Sequence, residues 1–398
     1  MRAQPTPVVL VGGRGYGRTH LANLRRLTDT GQVRVVGVCD QAPLMAAELE
    51  GLGPFDSIVQ SADLTPLLTR TQPSVAVIST PLHTHVPLAL SAVRAGAHVL
   101  VEKPPAPSLA GFRQLAAGLA ESGRVCQVGF QSFGSEAVHA VRRLVADGAI
   151  GRPVGVGGAG AWVREARYYA RSPWAGHRRF KTDDGAHAAV DVVDGVLTNP
   201  LAHALATALR VVGSDREQDV AAVELELYRA HDIEADDTSC VRVTTALGTK
   251  VTLAATLCAE ANAAPYIFVH GEAGRITLHY TEDRILLERP GHEAERLTYP
   301  RTDLLDNLLE HLRDGTDLLS PLARSGAFTR VVESVRTAAD PVRLAPGVWH
   351  PVGEGPHERR VIPGVDALTD ESARRLALFS ELGTPWAKAT VSEAVRPH

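Results

Sequence analysis

Five short runs constrain the fold of this chain more than any other feature: Val8 to Val11, Val33 to Val38, Val75 to Ile78, Val99 to Val101 and Val125 to Val128, predominantly apolar and without polar alternation. A strand that is apolar without alternation is buried on both faces. That is the condition of a parallel sheet held between helices, not of an antiparallel sheet with one wet face. Helical patterns at 17–29, 62–70, 84–95 and 108–121 lie between the runs and supply the crossovers. Residues 1–130 are therefore expected to form an α/β domain with a doubly wound parallel sheet of the Rossmann kind.

The pattern changes after Gly134. A helix with Val138, Val141 and Val145 on one face ends near Gly148 and links the domains. Beyond it Val223, Leu225 and Leu227 alternate with Glu224 and Glu226, and Val241 and Val243 alternate with Arg242 and Thr244, with a turn at Leu247 and Gly248. Alternation of this period marks strands with one buried and one open face. Apolar stretches at 251–257, 266–269, 274–280 and 284–288 extend the sheet, and Leu304, Leu305, Leu308, Leu309 and Leu312 define an amphipathic helix. Residues 131–340 thus read as an α+β domain with an open-faced, mainly antiparallel sheet. Residues 341–398 read as a tail packing on the domains, with a helix near 368–382 between Pro363 and Pro385.

Composition narrows the partners. Of 398 residues 44% are apolar and 22% charged, the formal net charge is -4, and no basic stripe or like-charged block occurs. This excludes nucleic acid as the expected partner, and no segment approaches a membrane span. A small neutral or mildly anionic ligand fits better. Cys39, Cys126, Cys240 and Cys258 are far apart, so neither a disulfide framework nor a thiolate zinc site is expected, no metal is assigned, and the setting reads as reducing and cytoplasmic. Open sheet faces imply a homo-oligomer, a dimer or tetramer.

The first strand runs directly into Gly12, Gly13, Arg14, Gly15, Tyr16 and Gly17, where a first helix should begin. Glycines at that place let the backbone approach a pyrophosphate, and the helix amides and dipole hold its charge. Arg14 replaces the middle glycine of the usual G-x-G-x-x-G, which predicts a loop of altered path with a guanidinium near the phosphates. Asp40 closes the second strand, where a carboxylate accepts both hydroxyls of the adenosine ribose and repels a 2'-phosphate. The expected cofactor is NAD, with NADP disfavoured although Arg14 softens the choice.

Two later segments carry a resemblance to a known family. The run from Ser79 through Thr80, Pro81, Leu82, His83 and Thr84 to His85, and the run from Ala95 to Pro104, resemble the T-P-x-x-x-H and A-G-K-H-V-L-x-E-K-P signatures of the glucose-fructose oxidoreductase, inositol dehydrogenase and rhizopine-catabolism (Gfo/Idh/MocA) family. The resemblance covers about the first 155 residues well and the remainder loosely. It implies a nicotinamide-binding domain, a second domain with an open-faced sheet, a catalytic cleft between them and assembly through that sheet. It also implies that Thr80, Pro81 and His85 line the cofactor near its nicotinamide end. Chemistry supports a catalytic role for Lys103, because an ammonium at a strand end beside a nicotinamide can stabilise the oxygen from which hydride leaves. Glu102 is its charge partner or orienter. Gln131, standing with Ser132 where many relatives carry Arg, is grouped with the cofactor-binding residues.

The family's second catalytic element, an Asp followed four residues later by His, is best matched by Asn199 and His203. Spacing of four puts both on one helical face. An amide cannot take a proton, so His203 would act as the acid/base with Asn199 orienting substrate or ring. Asp183 and His187 offer a competing match. Trp162, Arg164, Tyr168, Tyr169, Trp174 and Arg178 concentrate stacking faces and donors suited to a sugar, or form a surface arm against a neighbouring subunit. The expected activity is oxidation of a secondary alcohol of a sugar, inositol or related polyol to a ketone. The alternatives are glycoside cleavage through transient oxidation and elimination, and a non-enzymatic dinucleotide- or sugar-binding regulator.

Overall fold

A computed structural model describes residues 4–181, 189–387 and 393–394. The chain divides into two compact units, Met1–Gly129 with Asp303–Leu322, and Phe130–Thr302 with Ala323–His398.

The first unit runs β1 (Thr6–Val11), α1 (Gly17–Asp29), β2 (Val33–Cys39), α2 (Ala46–Leu49), β3 (Val59–Ser61), α3 (Leu64–Thr71), β4 (Val75–Ile78), α4 (His85–Arg94), β5 (His98–Val101), α5 (Leu109–Ser122) and β6 (Cys126–Val128). The six strands pair in parallel in the order β3-β2-β1-β4-β5-β6. Val8, Val9, Leu10 and all of β4 have no exposed surface, as uniform apolar runs require. Each such side chain contributes roughly 1.5–3 kcal/mol by leaving water. Asp63 and Ser108 accept from Thr65 N and Gly111 N and so cap α3 and α5. The strand order reverses between β1 and β4, which opens a crevice at their carboxyl ends.

The second unit begins with α6 (Glu136–Ala146), β7 (Pro153–Ala161), α7 (Ala166–Tyr169), a short pair β8 (Arg179–Phe180) and β9 (Val190–Asp191), and α8 (Ala202–Val211). Its main sheet adds β10 (Val220–Arg229), β11 (Thr238–Thr245), β12 (Lys250–Thr256), β13 (Tyr266–Gly271), β14 (Gly274–His279), β15 (Arg284–Glu288) and β16 (Glu295–Thr298). The order is β16-β15-β14-β13-β7-β12-β11-β10, antiparallel except for β7 beside β12.

The next helix, α9 (Leu304–Asp314), departs from the sequence expectation. Its leucines, read above as part of the second domain, pack into the core of the first unit with Leu10, Leu24, Val77 and Leu100. Buried polar groups fix it there. In β6, Gln127 Nε2 donates to Leu304 O (3.1 Å) and Asn307 Oδ1 (2.7 Å), and Gln127 Oε1 accepts from Ser320 N (3.0 Å). Asn307 in turn accepts from Leu319 N (2.9 Å) and donates to Asp317 O (3.0 Å). An amphipathic stripe states that a helix has a core to join, not which core.

The chain then adds α10 (Gly326–Thr337), β17 (Val342–Arg343), the pair β18 (His350–Val352) and β19 (Arg359–Val361), α11 (Val365–Arg375) and β20 (Glu393–Ala394). β17 and β20 both pair with β10. The helix expected at 368–382 stops at Arg375, because Leu376 turns left-handed (φ 54°). α11 lies on one face of the main sheet, where β7 is rich in glycine: a Cβ at Gly157 would fall 1.8 Å from Ala373 O. On the opposite face a Cβ at Gly160 would meet Leu201 at 2.5 Å. Glu226, expected to face solvent, is instead buried and accepts from Ser380 N and Oγ, and burial pushes its carboxyl upward. Arg242 bridges Glu224 and Glu381. The polar alternation of β10 is therefore met by the chain's own tail, and the face expected to receive a second copy is occupied there. Among the described residues, no helix is long and apolar enough to cross a membrane.

Asn307→Leu tests the α9 attachment. It keeps the branched shape but takes the acceptor from one Gln127 N–H and from Leu319 N and the donor from Asp317 O, a cost of about 2–4 kcal/mol. The urea midpoint for loss of the first unit should fall accordingly, while Leu247→Ser on an exposed turn should leave it in place.

Candidate functional site

The turn from β1 to α1 is shaped by contacts only glycine permits. Gly12 adopts φ 86°, and a Cβ there would fall 2.4 Å from Ser79 O, at the end of β4. A Cβ on Gly17 would fall 2.1 Å from Gly12 O. Gly12 N donates to Cys39 O (2.8 Å) and Gly17 N to Arg14 O (2.9 Å), closing the loop against β2. α1 starts with no side-chain cap, so the positive end of its dipole is left toward the loop. This glycine cradle fits a pyrophosphate.

Asp40 sits at the end of β2 as expected. Its Oδ2 accepts from Gly13 N (2.9 Å) and its Oδ1 from Arg14 Nη1 (2.6 Å). Arg14 also donates to Ala42 O (2.8 Å) and Pro43 O (3.1 Å). The guanidinium expected beside the phosphates is thus folded over the carboxylate expected to hold the ribose. The reason is local: Arg14 meets three acceptors on the segment after β2.

Beyond β4, Thr84 Oγ1 donates to Thr80 Oγ1 (2.6 Å) and Pro81 O (2.7 Å), shaping the turn into α4. His85 is buried, with Nδ1 2.7 Å from Pro104 O and Nε2 2.7 Å from Thr80 O. Both neighbours are acceptors, and burial pushes the ring pKa down from its ordinary value. His85 braces the Thr80 turn against the segment after β5, with both ring nitrogens directed at the backbone.

That segment carries Glu102 and Lys103. The Glu102 carboxylate is buried: Oε1 lies 2.9 Å from His20 Nε2 and Oε2 accepts from Lys103 N (3.3 Å). Room for it exists because residue 129 is glycine; a Cβ there would fall 2.6 Å from Glu102 Oε1. Tyr16 stands edge-on to His20 (5.6 Å, 81°), and burial, then Glu102 and Asp303, raise its hydroxyl to about 12. His20 was missed in the sequence. It lies one turn into α1 on the loop side, a position from which a helix histidine can reach the next strand ends, but nothing in the pattern names its partner. Half-buried Lys103 follows Glu102 at the carboxyl end of β5.

The remaining site candidates lie in the second unit. Gln131 is there, its carbonyl accepting from Arg301 Nη1 (2.8 Å). Asn199 and His203 do not share a helix: α8 begins at Ala202, because Pro200 has no N–H to donate and disfavours helical backbone before it. His203 opens α8, half-buried and edge-on to Phe130 (5.7 Å, 87°). Asn199 Nδ2 donates to Asp194 Oδ1. Asp194, also missed, is buried and accepts from Gly176 N (2.8 Å) and Arg171 Nη2 (3.4 Å). A carboxylate five residues earlier is thus joined to Asn199 by a hydrogen bond. Only the neighbouring Gly195 hinted at a tight turn here.

Arg171 lies over Tyr168 (3.7 Å) and Trp174 (5.1 Å), and Arg164 over Tyr168 (4.8 Å) and Trp162 (5.0 Å), so four of the predicted side chains do cluster. Arg178 does not join them. Its guanidinium is held by Asp340 and by Val335 O and Ala338 O at the end of α10. Tyr169 turns toward His231 (5.0 Å). Asp183 and His187 lie outside the described residues.

Residues 7–130 match a sequence model described as the oxidoreductase family, NAD-binding Rossmann fold, of Gfo/Idh/MocA, and residues 138–277 match the Gfo/Idh/MocA C-terminal domain. Inositol 2-dehydrogenase 4 of Saccharopolyspora erythraea is 31% identical over 150 residues, covering 37% of this chain and 43% of that protein. The chain thus matches less than half the length of this curated relative. The WlbA dehydrogenase of Bordetella pertussis, solved with NADH and UDP-GlcNAcA, superposes with a TM-score of 0.67 at 18% identity, over 84% of this chain and 95% of that one. A levoglucosan dehydrogenase solved with NADH and levoglucosan gives 0.68 at 18% identity, over 83% and 96%. At such identities the likeness is one of fold.

Asp40→Ala separates the two expectations placed on the Arg14 pair. Removing the carboxylate releases a guanidinium able to meet a 2'-phosphate, so the preference for NAD over NADP should fall by about tenfold, about 1.4 kcal/mol. Titration calorimetry with both dinucleotides reads this ratio, and an unchanged ratio would place the ribose elsewhere.

Proposed function

The chain belongs to the Gfo/Idh/MocA oxidoreductase family, with an NAD-binding Rossmann domain as its first unit, and on that premise we propose that it is a sugar or polyol dehydrogenase. In this reading it oxidises a secondary alcohol of a sugar, inositol or related polyol to a ketone. The observation that carries the proposal is the placement of Lys103 at the carboxyl end of β5, on a backbone anchored by buried Glu102 and His20. The glycine cradle at Gly12 and Gly17 and the Asp40 carboxylate would hold the dinucleotide, which when bound supplies the hydride acceptor.

Each residue's task follows from charge. As the C–H electron pair leaves the carbinol carbon, the hydroxyl proton must depart and the oxygen passes through partial negative charge. Lys103 donates a hydrogen bond to that oxygen and stabilises the charge. His203 is the proposed proton acceptor, since a neutral imidazole takes a proton near neutral pH. Asn199, tied to Asp194, orients polar groups of the second unit. The aromatic and arginine cluster of Trp162, Arg164, Tyr168 and Trp174 offers faces for a sugar ring.

The test is formation of reduced nicotinamide, followed by its absorbance, from NAD and a panel of sugars, inositols and sugar acids. Lys103→Ala should lower kcat by about 10²–10³ while leaving the NAD dissociation constant within a few fold. Absence of turnover across the panel, or full activity in Lys103→Ala, would reject the proposal.

A further inference from the structure

The second unit also brings together His231, Asp237 and Cys258, side chains to which the proposed reaction gives no task. His231 and Asp237 lie on the connection from β10 to β11, and Cys258 follows β12. All three are buried, Asp237 and Cys258 completely. His231 Nδ1 is 2.9 Å from Asp237 Oδ2 and 3.5 Å from Cys258 Sγ, and the three ligand atoms lie within 4.8 Å of one another. Backbone amides fix the carboxylate: Ala230 N donates to Oδ1 (3.0 Å) and Oδ2 (2.9 Å), and His231 N to Oδ2 (2.7 Å).

A second observation points into the same space. The Tyr169 ring lies against His231 (5.0 Å), and its hydroxyl is buried with no hydrogen-bond partner. That buried hydroxyl has a donor to give beside the ligand set.

We propose that His231 Nδ1, Asp237 Oδ2 and Cys258 Sγ form a buried zinc site, with a water in the fourth position to which Tyr169 donates. Ligand distances of about 2.3 Å for sulfur and 2.0–2.1 Å for nitrogen give a tetrahedral N to S edge near 3.5 Å. The His231–Cys258 separation matches it. The N to O edge is longer than the present 2.9 Å, so the two groups spread by a few tenths of an ångström on binding. The charge balances: a divalent cation, one carboxylate and one thiolate sum to zero, which relieves the burial of a carboxylate. Binding releases the Cys258 thiol proton and moves the Nδ1 proton of His231 to Nε2. The group facing Nε2 is Arg360 N at 3.4 Å, a contact weak enough to give up. The ion would join the β10–β11 connection, the end of β12 and α7. No short Cys-x-x-Cys spacing announces this set, because the ligands come from separate segments and meet only in the folded sheet.

The proposal does not rest on the reaction proposed above, and its test does not use activity. The full chain, purified without chelator, should carry one zinc per chain by plasma mass spectrometry. Chelation should lower its melting temperature and zinc should restore it. Cobalt-loaded protein should show a thiolate-to-metal charge-transfer band that Cys258→Ser lacks. If Cys258→Ser fails to fold, the wild-type cobalt spectrum alone decides. Protein that carries no stoichiometric zinc and shows no such band overturns the site and leaves a metal-free network in which Cys258 S–H and His231 Nδ1–H donate to Asp237.

Discussion

The buried carboxyl group of Glu102 is the interaction on which the arrangement of the first unit's strand ends depends. A polar group that leaves water costs free energy unless hydrogen bonds inside the protein replace those it loses. Here the partners are His20 from α1 and the backbone amide of Lys103, and the space is the missing Cβ of Gly129. One group therefore ties together the first helix, the end of β5 and the end of β6. The glycine loop and Lys103 are held in a common frame by that bond, and His85 repeats the device one strand away by joining the Thr80 turn to Pro104 O.

The parallel sheet was legible because its signal is local: an apolar run without alternation has one environment available to it. The glycine loop, Asp40 and Lys103 were legible for the same reason, since each sits at a strand end whose position the runs define. Most failures occurred where the deciding partner is distant in sequence. Leu304 to Leu312 announced an apolar face but not that Gln127 would claim it. Glu226 read as solvent-facing because Ser380, which buries it, comes far later. Asn199 read as helical because a spacing of four ignores the proline that follows it. Arg178 read as a donor for substrate, whereas it caps the end of α10.

Asp194 shows the same lesson in the second unit. Position 199 taken alone lacks an acid, and chemistry inferred from that lack points toward a different reaction. The folded turn sets a carboxylate beside Asn199 Nδ2 and holds it with Gly176 N and Arg171. The surroundings of a position are set by groups that folding brings together, not by the identity of one residue in a motif.

The return of α9 to the first unit has a consequence for synthesis. On the ribosome the nucleotide-binding sheet emerges early, yet the leucines that complete its core and the asparagine that satisfies Gln127 are translated only after nearly all of the second unit's sheet. The nascent amino-terminal lobe must wait with an apolar flank and an unpaired amide, open to chaperones, until residue 322 has cleared the exit tunnel. It also means that a gene fragment ending at Gly129 is not an exchangeable cassette: recombination at that point would sever a fold whose closing piece is encoded elsewhere.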